Sequence, residues 1–210
     1  MNPLGSAGPV RWIASVVGVC VLGIVLWLPG GTRESGTAIG VFDIEQYKIR
    51  VTSVVNGLSH PWSLAFLPNG DLLVTERAGR LRLIRKGVLQ KESIPGVPAV
   101  RESAQEGLLD IAIHPRFSEN RFVYLTYSRR GDRGTTVALA RGRFDGTRLA
   151  DTRDIFVADA WSGIEGNMGS RMAFSADGTL FMTAGERHKR TPSPGTPSSP
   201  PSLEFARRFA

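Results

Sequence analysis

Cysteine is nearly absent from this sequence, since Cys20 is the single one among 210 residues. One cysteine excludes an intrachain disulfide and any zinc site built on a CxxC pair. Histidine is also scarce, and His60, His114 and His188 lie too far apart to show metal-ligand spacing. The composition is 41% hydrophobic and 21% charged, which is typical of a globular protein. It excludes whole-chain disorder, a collagen-like protein and a polytopic membrane protein.

The net charge of +7 first suggests a nucleic-acid partner, but most of this excess lies near the two ends of the chain. Residues 41–186 carry 19 basic and 17 acidic residues, so the body of the protein is nearly neutral. A nucleic-acid-binding domain needs basic residues gathered on one face, with aromatic residues or a known motif. The sequence therefore predicts no nucleic-acid partner.

The N-terminal region contains an uncharged run of 17 residues, residues 12–28, with Arg11 before it. As a helix this run would span about 25 Å, slightly short for a membrane crossing but longer than the usual core of a signal peptide. The sequence predicts an apolar helix here and leaves two interpretations open, a signal peptide or a membrane anchor. Residues 1–40 are thus predicted to export the chain, either into the periplasm or to an inner-membrane anchor facing the periplasm.

The remaining sequence up to residue 190 has an all-β pattern. Short apolar runs alternate with turn dipeptides such as Asn69-Gly70 and Asp177-Gly178, and no long helical period appears. The predicted strands are Ile49–Val55, Trp62–Phe66, Leu72–Glu76, Arg80–Arg85, Leu109–Ile113, Val123–Arg129, Thr136–Phe144, Arg171–Phe174 and Leu180–Ala184.

An internal repeat favours a β-propeller among the all-β folds. Residues 66–75 match residues 174–183 at a constant offset of 108 residues, with a strand end, a glycine turn and a second strand in each copy. Propeller blades repeat about every 40–55 residues, so this offset corresponds to two blades. The alternative is that two unrelated hairpins match by chance.

The last segment, residues 191–210, breaks this pattern with five prolines and four serines. Such a composition predicts a disordered tail rather than a strand. The break falls in the middle of a predicted blade, and three origins remain open: a frameshift, a truncated gene prediction or a naturally short protein.

Several motifs, taken in order, resemble the glucose/sorbosone dehydrogenase family. This resemblance covers residues 48–190 and rests on the segments at 60–66, 72–83, 105–117, 120–124, 169–171 and 185–187. It implies a six-bladed β-propeller, of which this chain holds about two to three blades. It also implies pyrroloquinoline quinone (PQQ) over a central channel, bound calcium, an aldose sugar as substrate and a separate electron acceptor.

The resemblance also implies site residues. The catalytic base of the family is a histidine four residues before the arginine of a His-x-Gly-Ser/Gly-Arg pattern; here the arginine is Arg171 and the fourth residue before it is Asn167. An amide cannot take a proton near neutral pH, so either the base was replaced or a short deletion removed it. Gln105 matches a glutamine that lines the PQQ pocket, and Arg171 is a second candidate for contact with the cofactor. No metal ligand is assigned.

These observations predict PQQ-dependent oxidation of aldose sugars at C1 to lactones as the family activity, in a chain that is itself inactive. Two or three blades would leave open sheet edges, through which the chain could self-associate. The alternative is a non-enzymatic extracytoplasmic propeller module that binds a carbohydrate or a protein. A third hypothesis is a pseudogene product without function.

Overall fold

The computed structural model describes residues 37–185 and the short strand Phe205–Ala206, and within these residues the architecture is all-β. One short helix, α1 (Phe117–Asn120), interrupts the strands. The strands are β1 (Thr37–Asp43), β2 (Lys48–Ser53), β3 (Pro61–Phe66), β4 (Leu72–Glu76), β5 (Arg80–Arg85), β6 (Val88–Leu89), β7 (Leu108–Ile113), β8 (Phe122–Gly131), β9 (Gly134–Phe144), β10 (Leu149–Val157), β11 (Gly169–Phe174), β12 (Leu180–Ala184) and β13 (Phe205–Ala206).

The strands form antiparallel sheets in which chain neighbours are also sheet neighbours. The first sheet is β3-β4-β5-β6, the second is β7-β8-β9-β10 and the third is β11-β12-β13, while β1 and β2 form a separate hairpin. All nine predicted strands are present, with ends that differ by a few residues. The sequence pattern missed β1, β6, β10 and β13.

Two predicted segments lie mostly outside the described residues. The apolar helix predicted over residues 12–28 is one of them, and the disordered tail predicted over residues 191–210 is the other. Of that tail, Phe205 and Ala206 pair with β12 as a short strand. In the part of the chain that the structure describes, no helix has the length and apolar character that a membrane crossing needs.

The second sheet is buried on both faces. Along β8, Val123 and Leu125 pack toward the first sheet, whereas Tyr124 packs toward the third sheet. This arrangement explains why β7 and β8 read as almost continuous apolar runs instead of alternating ones. One core cluster joins the first sheet to the second, and the other joins the second sheet to the third.

The 108-residue repeat corresponds to two hairpins with the same hydrogen bonds. In the first copy, the Gly70 N–H donates to the Leu67 carbonyl (2.9 Å), and in the second, the Gly178 N–H donates to the Ser175 carbonyl (3.0 Å). Both glycines have φ near +84°, a backbone conformation that favours glycine. The two copies of the repeat therefore fold into hairpins with the same turn hydrogen bond and the same glycine conformation.

A threonine in the second strand of each sheet joins it to the first strand. The hydroxyl Oγ1 of Thr75 accepts from the Ser63 N–H (3.1 Å), and that of Thr183 accepts from the Arg171 N–H (3.0 Å). Both residues of the second pair lie 108 positions after those of the first.

The second sheet has the same threonine, although its turn differs in sequence. Thr126 Oγ1 accepts from the Asp110 N–H (2.9 Å) and donates to the Ser170 carbonyl in the first strand of the third sheet (3.0 Å). Thr75 likewise donates to the Leu109 carbonyl in the first strand of the second sheet (2.6 Å). These bonds hold the first strands β3, β7 and β11 side by side.

Candidate functional site

The first strands of the three sheets each place one polar residue at the same position. Ser63, Asp110 and Arg171 are the third residues of β3, β7 and β11. Because β7 packs against both β3 and β11, these three side chains meet. We call them the channel cluster.

The centre of the channel cluster is the carboxylate of Asp110, which is only 2% exposed. Its Oδ1 accepts from the Ser63 hydroxyl (2.6 Å) and lies 3.2 Å from Nη1 of Arg171. Its Oδ2 accepts from the Met172 N–H (2.6 Å). A buried carboxylate needs this many donors, because burial without partners would cost several kcal/mol.

Arg171 carries the positive charge of the cluster toward solvent. Its side chain is 71% exposed, although Nη1 is held by Asp110. A guanidinium has five N–H donors, so most of them remain available to a ligand. The ion pair thus fixes the orientation of a group that can still bind a carboxylate or carbonyl oxygen.

Two loops precede the first strands β7 and β11, and they meet through Glu165. Oε1 of Glu165 accepts from the backbone N–H of Gln105 (2.8 Å). This hydrogen bond is the main reason why the pKa of Glu165 lies below its usual range. The contact joins the loop that carries Gln105 to the loop that carries Asn167.

Asn167 lies on the second of these loops, and its residue is exposed. Its position is held by its neighbour in the chain, because the Met168 carbonyl accepts from the Gly185 N–H (2.9 Å). The structure thus presents an amide four residues before Arg171, where the family resemblance implies a histidine.

The structure brings the three predicted site residues to one end of the first strands. Gln105 and Asn167 are exposed on loops that contact each other, and Arg171 follows two residues into β11. The side chain of Arg171 binds Asp110, and the backbone N–H of Gln105 binds Glu165.

His114, one of the histidines of the described region, lies among aromatic rings. His114 is packed beside the rings of Tyr124 and Phe174, and its Nδ1 accepts from the Arg116 N–H (3.0 Å). Burial, together with the charges of Arg116 and Arg141, lowers the pKa of His114. These contacts give His114 a packing role beside the two rings. His188 lies outside the described residues.

Sequence reasoning missed two members of this region. Ser63 had a usable signal, because the offset of 108 residues pairs it with Arg171. Glu165 had none, since it stands in an irregular loop and its partner is a backbone N–H 60 residues away. Asp110 was recognisable as a carboxylate inside an apolar strand, although its partners were not.

Comparison with known proteins identifies the family. The Glucose / Sorbosone dehydrogenase family matches residues 58–199. An uncharacterized protein of Synechocystis sp., slr1608, is 44% identical over 163 residues, which cover 74% of this chain and 40% of that protein. The aldose sugar dehydrogenase YliI of Escherichia coli is 36% identical over 146 residues, which cover 68% of this chain and 39% of the enzyme.

A solved structure gives the same result at the level of the fold. The PQQ-bound form of an aldose sugar dehydrogenase from Streptomyces coelicolor superposes with a TM-score of 0.57 at 27% identity, covering 74% of this chain and 43% of that chain. This chain spans about 40% of the length of the curated relatives it matches. The sequence match, which extends over most of the chain, and the shared all-β structure lead to one conclusion: the chain belongs to the glucose/sorbosone dehydrogenase family.

Proposed function

We propose that the three sheets are consecutive blades of a six-bladed β-propeller and that β3, β7 and β11 line its channel. The support is the threefold repetition of the threonine bonds and the meeting of Ser63, Asp110 and Arg171 at one position. In a propeller the first strand of every blade faces the axis, which explains why these three positions converge.

The channel end that carries Gln105, Asn167 and Arg171 is the proposed binding face for PQQ and an aldose sugar. When bound, PQQ would supply the hydride acceptor for oxidation of the sugar at C1 to a lactone. The described residues fit one edge of this cofactor: the Arg171 guanidinium suits a carboxylate, and the Gln105 amide suits a carbonyl or a sugar hydroxyl. Reduced cofactor would then need a separate electron acceptor.

Oxidation of the sugar also requires a base that removes the proton of the C1 hydroxyl. Asn167 has no basic lone pair at neutral pH, whereas a neutral histidine would be well suited to the task. We therefore propose that this chain binds at the channel end without turning over sugar. The observation that carries this proposal is the exposed amide of Asn167 on the loop before Arg171.

The other family properties remain proposals for this chain. Within residues 37–185, no group of three or more His, Cys, Asp and Glu side chains gathers around a point that could hold a metal ion. Calcium is therefore proposed from family membership alone. Export through residues 1–40, with a periplasmic or membrane-anchored location, is proposed from the sequence alone.

The experiment for the binding face measures PQQ affinity with the full chain, by quenching of tryptophan fluorescence. Arg171→Gln removes the exposed guanidinium, while Arg116→Gln removes one of equal exposure (72% against 71%) from the α1 turn. We expect weaker PQQ binding in Arg171→Gln and unchanged binding in Arg116→Gln. Equal affinities in all three proteins would contradict the assignment of Arg171.

A second candidate function is self-association of the propeller module, and one observation favours it. The side chains of Trp62, Leu64 and Phe66 alternate along β3 and are all exposed, at 43%, 51% and 67%. Such an uncovered apolar face is unusual for a monomer. We propose that a second copy of the chain covers it. Light scattering should give a mass above that of one chain, and Leu64→Lys should restore the monomer; a monomeric wild type would contradict this.

A further inference from the structure

A second concentration of charge lies on strands β8, β9 and β10 of the second sheet, away from the channel cluster. It surrounds a cavity of about 320 Å³ between β8, β9 and β10. The lining residues are Phe122, Arg141, Gly142, Arg143, Asp151 and Arg153. We call this the arginine cavity.

The β9–β10 register places two of these arginines directly opposite each other. Arg141 pairs with Arg153 across the strands, and Arg143 follows on the same face of β9. Like charges opposite each other in a sheet are destabilising. Among the ion pairs of residues 37–185, none includes these three arginines. The sheet thus keeps three close positive charges that its carboxylates do not neutralise.

The ring of Phe122 contacts two of the guanidinium groups that line the cavity. The central carbon of Arg141 lies 4.2 Å from the ring centroid of Phe122, and that of Arg143 lies 5.5 Å from it. A cation–π contact of this kind uses none of the N–H donors of the guanidinium in a hydrogen bond. These donors are the ones that bind an oxyanion in a bidentate way.

The backbone of β10 is irregular where it borders the cavity. The register shifts between Ala150 and Arg153, and Asp151 in this bulge has a φ of +53°. Non-glycine residues with a positive φ of this size are uncommon, and they cluster at functional sites. The bulge brings one carboxylate to a lining that otherwise carries three positive charges.

We propose that the arginine cavity binds the phosphoryl group of a small phosphorylated ligand. Three guanidinium groups match the charge and the oxygens of a phosphate dianion better than those of a single carboxylate. The volume is at the small end of ligand sites, which suits phosphate itself or a phosphate monoester with a small organic part. This inference does not depend on PQQ or on the channel cluster.

The test measures binding of inorganic phosphate and of a hexose phosphate to the full chain by calorimetry at low ionic strength. In the double variant Arg143→Gln/Arg153→Gln, the loss of charge-assisted hydrogen bonds should weaken phosphate binding by at least about tenfold. Arg133→Gln is the control, because it removes the same charge from an exposed ion pair with Asp159, outside the strands that line the cavity. Phosphate binding by this variant should stay within about twofold of wild type, because Arg133 does not line the cavity and its charge is paired with Asp159.

Two results would overturn the proposal: no saturable phosphate binding by the wild type, or equal weakening in Arg133→Gln. If hexose phosphate binds more tightly than phosphate, the ligand is a monoester; if the two bind equally, it is free phosphate. Either of these two outcomes supports a phosphate site in the arginine cavity.

Asp151→Asn gives a result of opposite sign. Asparagine tolerates the positive φ of this position, so the fold should be kept. Removing the negative charge from the lining should tighten phosphate binding by a few fold, about the effect of one nearby charge in partly solvated surroundings. Weaker binding in this variant would contradict the placement of the phosphate beside Asp151.

Discussion

The channel cluster and the arginine cavity treat charge in opposite ways. In the first, a buried carboxylate has a donor at each oxygen, and its arginine is oriented by it. In the second, Arg141 and Arg153 face each other across a strand pair, and the ring of Phe122 contacts Arg141. The difference indicates that the charges of the channel cluster are compensated inside the fold, whereas those of the arginine cavity are not compensated by carboxylates of the same sheet.

The largest expected effect comes from breaking the channel cluster. Asp110→Ala removes the acceptor of the Ser63 hydroxyl and of the Met172 N–H. Two partly buried donors that lose their acceptor should lower the free energy of unfolding by about 2–4 kcal/mol. Urea denaturation measures this. The control Asp159→Ala, at an exposed ion pair, should cost less than about 1 kcal/mol; a similar loss in both variants would contradict the special status of Asp110.

The next effect tests the hydrogen bonds that bring the first strands together. Thr126→Val keeps the shape of the side chain but removes both bonds of its hydroxyl, to the Asp110 N–H and the Ser170 carbonyl. Because Thr126 is fully buried, the loss should be about 1–3 kcal/mol in urea denaturation.

The matched variant for this bond is Thr183→Val in the third sheet. Its hydroxyl accepts only from the Arg171 N–H within the described structure, and the residue is exposed. Water can replace that partner, so the loss should stay below about 1 kcal/mol. The account of the threonine bonds fails if Thr183→Val costs as much as Thr126→Val.

A smaller effect of opposite sign is expected in the arginine cavity. Arg153→Gln removes the charge that faces Arg141 across β9 and β10. In phosphate-free buffer at low ionic strength, relief of this repulsion should raise the free energy of unfolding by about 0.2–1 kcal/mol. A clear decrease, measured by the same denaturation, would mean that the two arginines do not repel each other in the folded chain.

The smallest effect concerns the loop contact at Glu165 and depends on pH. The pKa of Glu165 is lowered in the folded chain, so its contribution to stability is present above its unfolded pKa, about 4.3, and is lost as pH falls through the folded value. Glu165→Gln should therefore lose less stability than wild type on acidification below about pH 5. Thermal unfolding of both proteins across this pH range measures the difference. If the stability of the two proteins falls in parallel with pH, the Gln105–Glu165 bond does not stabilise the fold.

The sequence pattern predicted most of the fold because the first two strands of each of the three sheets are largely apolar and are bounded by clear turn residues. It missed β10, Leu149–Val157, because this edge strand carries charges at several positions and one of its faces meets solvent. It missed β6 because two residues are too few for any periodicity.

The candidate site was predictable only where a motif marked it. Arg171, Asn167 and Gln105 stand in family motifs, and the structure places all three at one end of the first strands. The contact between Asp110 and Arg171 joins residues 61 positions apart, which no local pattern reports. The arginine cavity was equally hidden, because it depends on the β9–β10 register and one of these strands was not predicted.

The most direct test of the functional account is turnover by the full chain. The chain is supplied with PQQ, calcium, glucose and an artificial electron acceptor, and reduction of the acceptor is followed against a sample without protein. Because an amide occupies position 167, we expect no glucose-dependent reduction above that control. Glucose-dependent reduction that Arg171→Gln lowers would show that another group at the channel supplies the base, and it would contradict the proposal that the chain binds without turnover.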